Sequence, residues 1–409
     1  QTNKNLNDAE LIKTVSEIIN NVRLRGDDAL LEYTKKFDSV ELEKIEVSQS
    51  EIDDANSSVS SEFKQMFQRV IANIENYQKL ILPKSWLTID ETGSKLGELI
   101  TPLDKVGLYI PAGTAPLIST IAMSAAPAYI AGVKNIYMCV PPAKNGKVNP
   151  YILAAAKMAK VSKIFKVGGA QAIAAFAIGT ATIPKVDKII GPGNIYVTIA
   201  KKLVYGEVNI DMIAGPSEIL ILADDTAQPE FVIADLLSQA EHDILASAYL
   251  VTANAALAEY VKNNIYKKAQ SLSRFKIMEK SLADNFKIFL VDNLEFAIDI
   301  VNEIAPEHLE ICVSSSEAVL KKIKNAGAIF IGNWTPEAVG DYYAGPSHIL
   351  PTCGTAKFYS PVSSETFIKR TSIIEYSKQK FLQAADDIIM LAKLEELTAH
   401  SLSAEIRKN

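Results

Sequence analysis

The chain holds four histidines, and the residues around them are the ones whose types and spacing could do chemistry. In Ser238-Gln239-Ala240-Glu241-His242-Asp243, Gln239 and His242 stand three residues apart. On a helix that spacing puts an amide oxygen and an imidazole on one face. Two donors are half of a transition-metal site, since such an ion takes about four ligands. Further along, Glu307 and His308 are adjacent at what reads as a strand entrance. A carboxylate and an imidazole placed this way can divide general-base work, the imidazole titrating near neutrality. The plainer reading is a surface Glu beside a satisfied His, but Pro306 fixes the approach and tilts the balance toward function.

Asp341 follows Gly340 in a glycine-rich stretch that continues to His348. Asp in such a loop commonly bonds its own backbone, and a histidine near a chain end, like His400, commonly bonds helix carbonyls. Against both readings stands the small number of histidines, none on an apolar stripe. Cys139 and Cys312 sit in apolar runs and read as small buried hydrophobes, which leaves Cys353 as the thiol to test as a nucleophile. No G-x-S-x-G elbow occurs, so an α/β-hydrolase is not indicated.

These residues must be carried by something, and from residue 105 short β-branched runs alternate with Ala-rich helical segments across Gly and Pro turns. Strand-like 106–110 enters PAGTAP and a helix; 135–140 precedes a helix over 149–160. Strand-like 164–167 meets Gly168-Gly169, and 186–190 enters GPGN before a helix over 195–204. Repeated strand-turn-helix units imply parallel strands with right-handed crossovers, hence an open α/β sheet whose ligands bind at the carboxyl ends of its strands. No G-x-G-x-x-G opens the first unit, so the usual dinucleotide fingerprint is missing, yet the backbone N–H groups that start the Asn194 helix could hold a phosphate. A second set of units begins after Gly215-Pro216-Ser217: strand 218–222, helix 229–242, strand 248–252, strand 288–291, helix 294–304, strand 309–313, helix 317–325 and strand 328–331. Two similar α/β domains are therefore expected. The Gly-, Pro- and Ser-rich stretch 334–364 is long for a structureless loop and reads as functional. An amphipathic helix carrying Phe381, Ala385, Ile388 and Ala392 runs into Glu395 and His400.

Composition limits the partners. The 409 residues carry a net charge of -6 and no long basic block, which argues against a nucleic-acid surface. Three widely spaced cysteines indicate neither a disulfide framework nor a cysteine zinc cluster and fit a reducing cytoplasm. The opening QTNKNLNDAELIKTV does not read as a signal peptide. The most apolar run, 115–133, contains Pro116 and Pro127 and reads as a helix of a folded domain, so no membrane association is expected.

Eight motifs, GLYIPAGTAPLIST, VGGAQAIAA, KIIGPGN, DMIAGPSE, DLLSQAEHD, APEHLE, GDYYAGPSHILPT and LTAH, occur in an order and spacing that resemble the histidinol dehydrogenases. That resemblance, running from about the first helix to His400, implies an NAD-dependent oxidation of L-histidinol through L-histidinal to L-histidine, the last step of histidine biosynthesis. It implies two NAD+ and one Zn2+ per turnover site, with the metal held by Gln239, His242, Asp341 and, from the partner of a homodimer, His400. Glu307 and His308 match the family's acid/base pair; Ser217, His348 and Glu395 match substrate positions, shared with Gln239, His242, His308, Asp341 and His400; Tyr109, Gln171 and Asn194 match contacts to NAD+. The family fold is two similar Rossmann-like open α/β domains, aldehyde-dehydrogenase-like, with small helical ends. On that basis residues 1–104 form a helical part packed with the second α/β domain, 105–217 the NAD-binding domain, 218–362 the domain with metal and catalytic residues, and 363–409 a segment reaching the partner subunit. One departure is Ser347, where relatives often carry Asn. The alternatives are a zinc-dependent hydrolase on the same ligands, an aldehyde dehydrogenase using Cys353, and a non-catalytic ligand-binding relative, against which the intact Glu307-His308 pair argues.

Overall fold

The computed structural model describes residues 6–111 and 117–408, so most of the expected PAGTAP turn lies outside the described residues. The chain divides into two compact units, Gln1–Ile81 with Leu103–Phe367, and Leu82–Pro102 with Ile368–Asn409. In chain order the strands are β1 (Trp86–Ile89), β2 (Lys95–Pro102), β3 (Lys105–Tyr109), β4 (Asn135–Cys139), β5 (Lys163–Phe165), β6 (Lys188–Ile190) and β7 (Asn209–Ile210). They continue as β8 (Glu218–Ala223), β9 (Ser247–Thr252), β10 (Phe286–Leu290), β11 (His308–Cys312), β12 (Ala328–Ile331) and β13 (Ile368–Glu375).

The larger unit holds two parallel five-stranded sheets, ordered β5-β4-β3-β6-β7 and β10-β9-β8-β11-β12. In each, the first strand of the set lies at the centre and the fourth pairs with it, so the two expected α/β domains share one topology. Parallel sheets are covered on both faces, and their strands therefore read as unbroken apolar runs, as Ile219–Ala223 does, with every residue buried. Asn194 and Asn293 cap the helices Ile195–Val204 and Leu294–Ile304 through their side chains, and Pro229 opens the helix Pro229–Ala240, as the residue preferences at those positions require.

The amino-terminal part differs from expectation in two respects. Its helix Ala9–Arg25 buries Val15, Ile18, Ile19 and Val22 in one core with Ile173, Phe176 and Ile199 on the helices of the first sheet, while in the helix Ser61–Ile81 Asn73 donates to the Tyr343 carbonyl of the stretch expected in the second domain. The apolar stripe that drives this is the one visible in the sequence; its target was not. Residues 86–102 are not helical but form β1 and β2, which join β13 in an antiparallel sheet, β1-β2-β13, in the smaller unit. That unit ends in two helices, Lys378–Leu394 and Thr398–Lys408. Among the described residues, no helix is long and apolar enough to cross a membrane.

Candidate active site

At the amino ends of β8 and β11 the backbone register places His308 opposite Ile219, which brings Glu218, Glu307 and His308 together. The Glu218 N–H donates to Glu307 Oε2 at 2.9 Å, and the Glu218 carbonyl lies 3.2 Å from His308 Nδ1. Gln239 Oε1 is 3.1 Å from the same nitrogen. Both neighbours are acceptors, so Nδ1 carries a proton, and Nε2 is the nitrogen turned toward the rest of the cluster. The helix Pro229–Ala240 returns across the sheet and ends here, delivering Gln239 and, just past its cap, His242. Helix carboxyl ends carry partial negative charge, a favourable setting for a cation.

A third element completes the cluster. Within the stretch that reads as a glycine-rich loop, Glu337–Tyr342 forms a short helix, and its Glu337 and Asp341, four apart, face the same centre. Asp341 Oδ1 is 3.6 Å from His308 Nε2, and Glu337 Oε1 is 3.9 Å from His308 Nδ1. His348, from beyond that helix, has its Nδ1 3.0 Å from the Asp341 carbonyl and its Nε2 3.2 Å from Thr120 Oγ1. Ser347, the departure from the family pattern, is buried and donates from Oγ to the Met123 carbonyl.

Four carboxyl groups in so dry a place perturb one another. Burial pushes Glu307 up to about 7 and Glu337 up to about 8, with His308 pulling each back. Glu218 is raised to about 7 by burial and then by the charge of Glu307. Burial opposes charge on His308, yet Glu337, Glu307 and Asp341 outweigh it and lift the imidazole to about 10. Burial also works against ionised Asp341, but His308, His348 and His242 hold it below the ordinary carboxylate range. The cluster is short of positive charge.

Its donor set suits a metal ion. Ligand atoms of His242, Glu337 and Asp341 all lie within 4.8 Å of one another. Three buried polar atoms at the same place, Gln239 Nε2, His308 Nε2 and Glu337 Oε1, have no hydrogen-bond partner among the described residues, a cost that native cores rarely leave unexplained. Of the Gln239 amide only the oxygen can ligate, using the lone pair that its contact with His308 leaves free. Glu337 was missed in the sequence; its i, i+4 relation to Asp341 was the signal available. The larger unit thus gathers Gln239, His242, Glu307, His308, Asp341 and His348. Ser217 directly precedes Glu218, and its side chain bonds Glu307. Glu395 and His400 belong to the smaller unit and are exposed there, His400 lining a cavity of about 620 Å³ with Phe381, Ile388 and Arg407.

The first sheet offers a different surface. Tyr109 ends β3, and its hydroxyl accepts the Gly169 N–H at 3.1 Å. Gln171 lies one turn into the next helix, its Oε1 buried without a partner among the described residues. Asn194 Oδ1 caps the following helix by accepting from Tyr196 and Val197. A Cβ on Gly169 would stand 2.7 Å from Gln171 Oε1, and Gly169 adopts φ +64°, so this turn needs glycine. Two helix amino termini beside glycine turns fit an anionic dinucleotide.

Paired α/β sheets, one with helix amino termini beside glycine turns and the other with a buried cluster of acids and histidines, define a two-domain α/β enzyme. Comparison with known proteins narrows this: residues 1–408 match the histidinol dehydrogenase family, and the chain belongs to that family of oxidoreductases. It is 52% identical over 394 residues to the histidinol dehydrogenase of Oceanobacillus iheyensis, covering 96% of this chain and 92% of the relative. The enzyme of Clostridium acetobutylicum is 51% identical over 399 residues, 98% of this chain and 93% of the relative. A crystal structure of histidinol dehydrogenase from Elizabethkingia anophelis superposes with a TM-score of 0.93 at 39% identity, covering 97% of this chain and 91% of that one. A probable aldehyde dehydrogenase from Listeria monocytogenes, at 12% identity, TM-score 0.50 and coverage of 90% and 98%, shares the fold alone.

Proposed function

We propose that the chain oxidises L-histidinol through L-histidinal to L-histidine with two NAD+, closing histidine biosynthesis, and that Zn2+ is bound by Gln239, His242, Asp341 and the partner subunit's His400. The observation that carries this is the buried, unpartnered His308 Nε2 within the ring of carboxylates. When bound, zinc would fix the imidazole and amino nitrogens of the substrate, and NAD+ would take up the hydride from its carbinol carbon. A bound cation would offset the carboxylates that hold His308 charged, leaving Nε2, with Nδ1 held by the Glu218 carbonyl, able to take the hydroxyl proton. Glu307, at about 7, is suited to drawing a proton from water as that water adds to the aldehyde. After releasing its first proton to solvent, His308 removes the proton of the hydrated aldehyde as the second hydride leaves for NAD+, and Ser217, His348 and Glu395 hold the amino alcohol. Tyr109, Gln171 and Asn194 line the dinucleotide.

Family membership sets aside the hydrolase reading. It likewise sets aside the aldehyde dehydrogenase reading on Cys353. Mixing enzyme, histidinol and NAD+ should produce NADH, and chelation should abolish it as metal content falls; full activity in metal-free protein would end the zinc assignment.

A homodimer with a shared site is supported by the smaller unit, which leaves Ile89, Ile374, Met390, Leu394 and Ile406 all more than half exposed. His400→Asn and Gln239→Ala subunits, each inactive alone, should regain part of their activity when mixed and reassembled. No recovery in verified hybrids would remove the crossing of His400 between subunits. We assign the enzyme to a reducing cytoplasm, which its three widely spaced cysteines favour.

A further inference from the structure

Lys201 and Asp211 form an ion pair whose side chains are 3% and 1% exposed. No other ion pair involving Lys or Arg among the described residues is so deeply buried on both sides, and it lies outside the acid cluster. Desolvating two full charges is expensive, so such a pair calls for an explanation beyond stability. Both partners converge on one residue. Lys201 Nζ donates to the Gly191 carbonyl at 3.0 Å, and Asp211 Oδ2 accepts the Gly191 N–H at 2.8 Å.

Gly191 is where β6 passes into the GPGN turn, and its environment is tight. It adopts φ +124°, and a Cβ there would stand 2.2 Å from the Tyr109 carbonyl. The Gly191 backbone therefore sits against the end of β3, between two of the residues that line the dinucleotide, Tyr109 and Asn194. Lys201 comes from the helix that Asn194 caps. Asp211 follows β7 and also binds the Met212 N–H at 2.7 Å, starting the segment that reaches Ser217 six residues on. One buried pair thus ties together the turn, the helix behind it and the segment leading to the acid cluster.

We propose that Lys201 and Asp211 are positioning residues for NAD+: they clamp Gly191 from both sides and so fix the 191–194 turn against Tyr109. The inference rests on the dinucleotide reading of the first sheet. Displacing a cofactor by about 1 Å costs up to about 100-fold, and the clamp acts at that scale.

The test compares Lys201→Met, Asp211→Asn and the neutral double variant with the parent, using thermal melting, metal content, calorimetric NAD+ binding and separate KM values for the two substrates. The expected result is folded protein with intact metal content and histidinol KM, but NAD+ affinity weakened about 10- to 100-fold. The double variant should melt above either single one, because no lone buried charge remains, yet bind NAD+ no better. A folded double variant with NAD+ affinity within about twofold of the parent, well short of the displacement effect, overturns the proposal. So does failure of all three to fold, which would make the pair a folding element only. If the parent itself neither binds NAD+ nor makes NADH, the dinucleotide reading fails instead.

Discussion

The first sheet presents Tyr109, Gln171 and Asn194 at the carboxyl ends of β3, β5 and β6, whereas the second presents Glu218 and His308 at the amino ends of β8 and β11. Both sheets have the same strand order, so topology does not make the difference. The helices do. In a strand-turn-helix unit the helix begins beside the carboxyl ends of the strands and finishes beside their amino ends. The first edge therefore offers N–H groups and partial positive charge, and the second offers partial negative charge with Gln239 and His242. One architecture used from opposite edges can take an anionic cofactor and a cation. The general expectation that α/β sheets bind at their carboxyl ends fits the dinucleotide reading of the first edge but not the metal reading of the second.

The comparison breaks most sharply at His308. His308→Asn should lower kcat about 10²- to 10⁴-fold for both the alcohol and the aldehyde, as loss of a general base does, while NAD+ affinity stays put. Stopped-flow NADH formation and calorimetry would check it; a matching loss of NAD+ affinity would mean that the two edges are not separate. Gly191→Ala is the reciprocal change and a smaller one. The new methyl must move the Tyr109 carbonyl, and φ +124° is strained for alanine by about 1–3 kcal/mol. A raised KM for NAD+ and a lower melting temperature are expected, with metal content and histidinol KM unchanged.

The same contrast explains what could be read in advance. Buried parallel strands such as Ile219–Ala223 declare themselves as apolar runs, and the turns between them by Gly and Pro, so the sheets and the glycine turns at their carboxyl edge are legible, whereas Tyr109 and Gln171 come only from the family resemblance. The strands β1, β2 and β13 are mostly half-buried or exposed and carry no such signature, and only the family-based bounds 1–104 extend the helical part over 86–102. At the amino edge each half of the site was visible alone: Gln239 with His242, Glu307 with His308. Their meeting depends on the register of β11 against β8, which no local pattern encodes. Glu337 escaped because one acid in a Pro- and Gly-rich stretch looks solvated; only its spacing to Asp341 marks a shared face.

The smallest effect expected concerns stability, and it asks whether the amino edge carries its surplus of acid at a cost. Behind the cluster, Glu310 accepts the Glu337 N–H at 2.9 Å and its side chain meets that of Asp235. Burial raises Asp235 to about 6, and burial with the charge of Asp235 lifts Glu310 well above the ordinary carboxylate range. Both folded-state values exceed the unfolded ones, so the folded protein binds more protons. The stability this contributes is fully present at low pH and is lost as pH rises through the folded-state values, from about 4 upward. Glu310→Gln keeps an acceptor for Glu337 and offers Asp235 a donor, without the second charge. The variant's melting temperature should therefore fall less than the parent's between about pH 5 and about pH 8. Equal slopes in the two titrations would mean that the pair is already neutralised by its surroundings, and that the amino edge tolerates its carboxyl groups without cost.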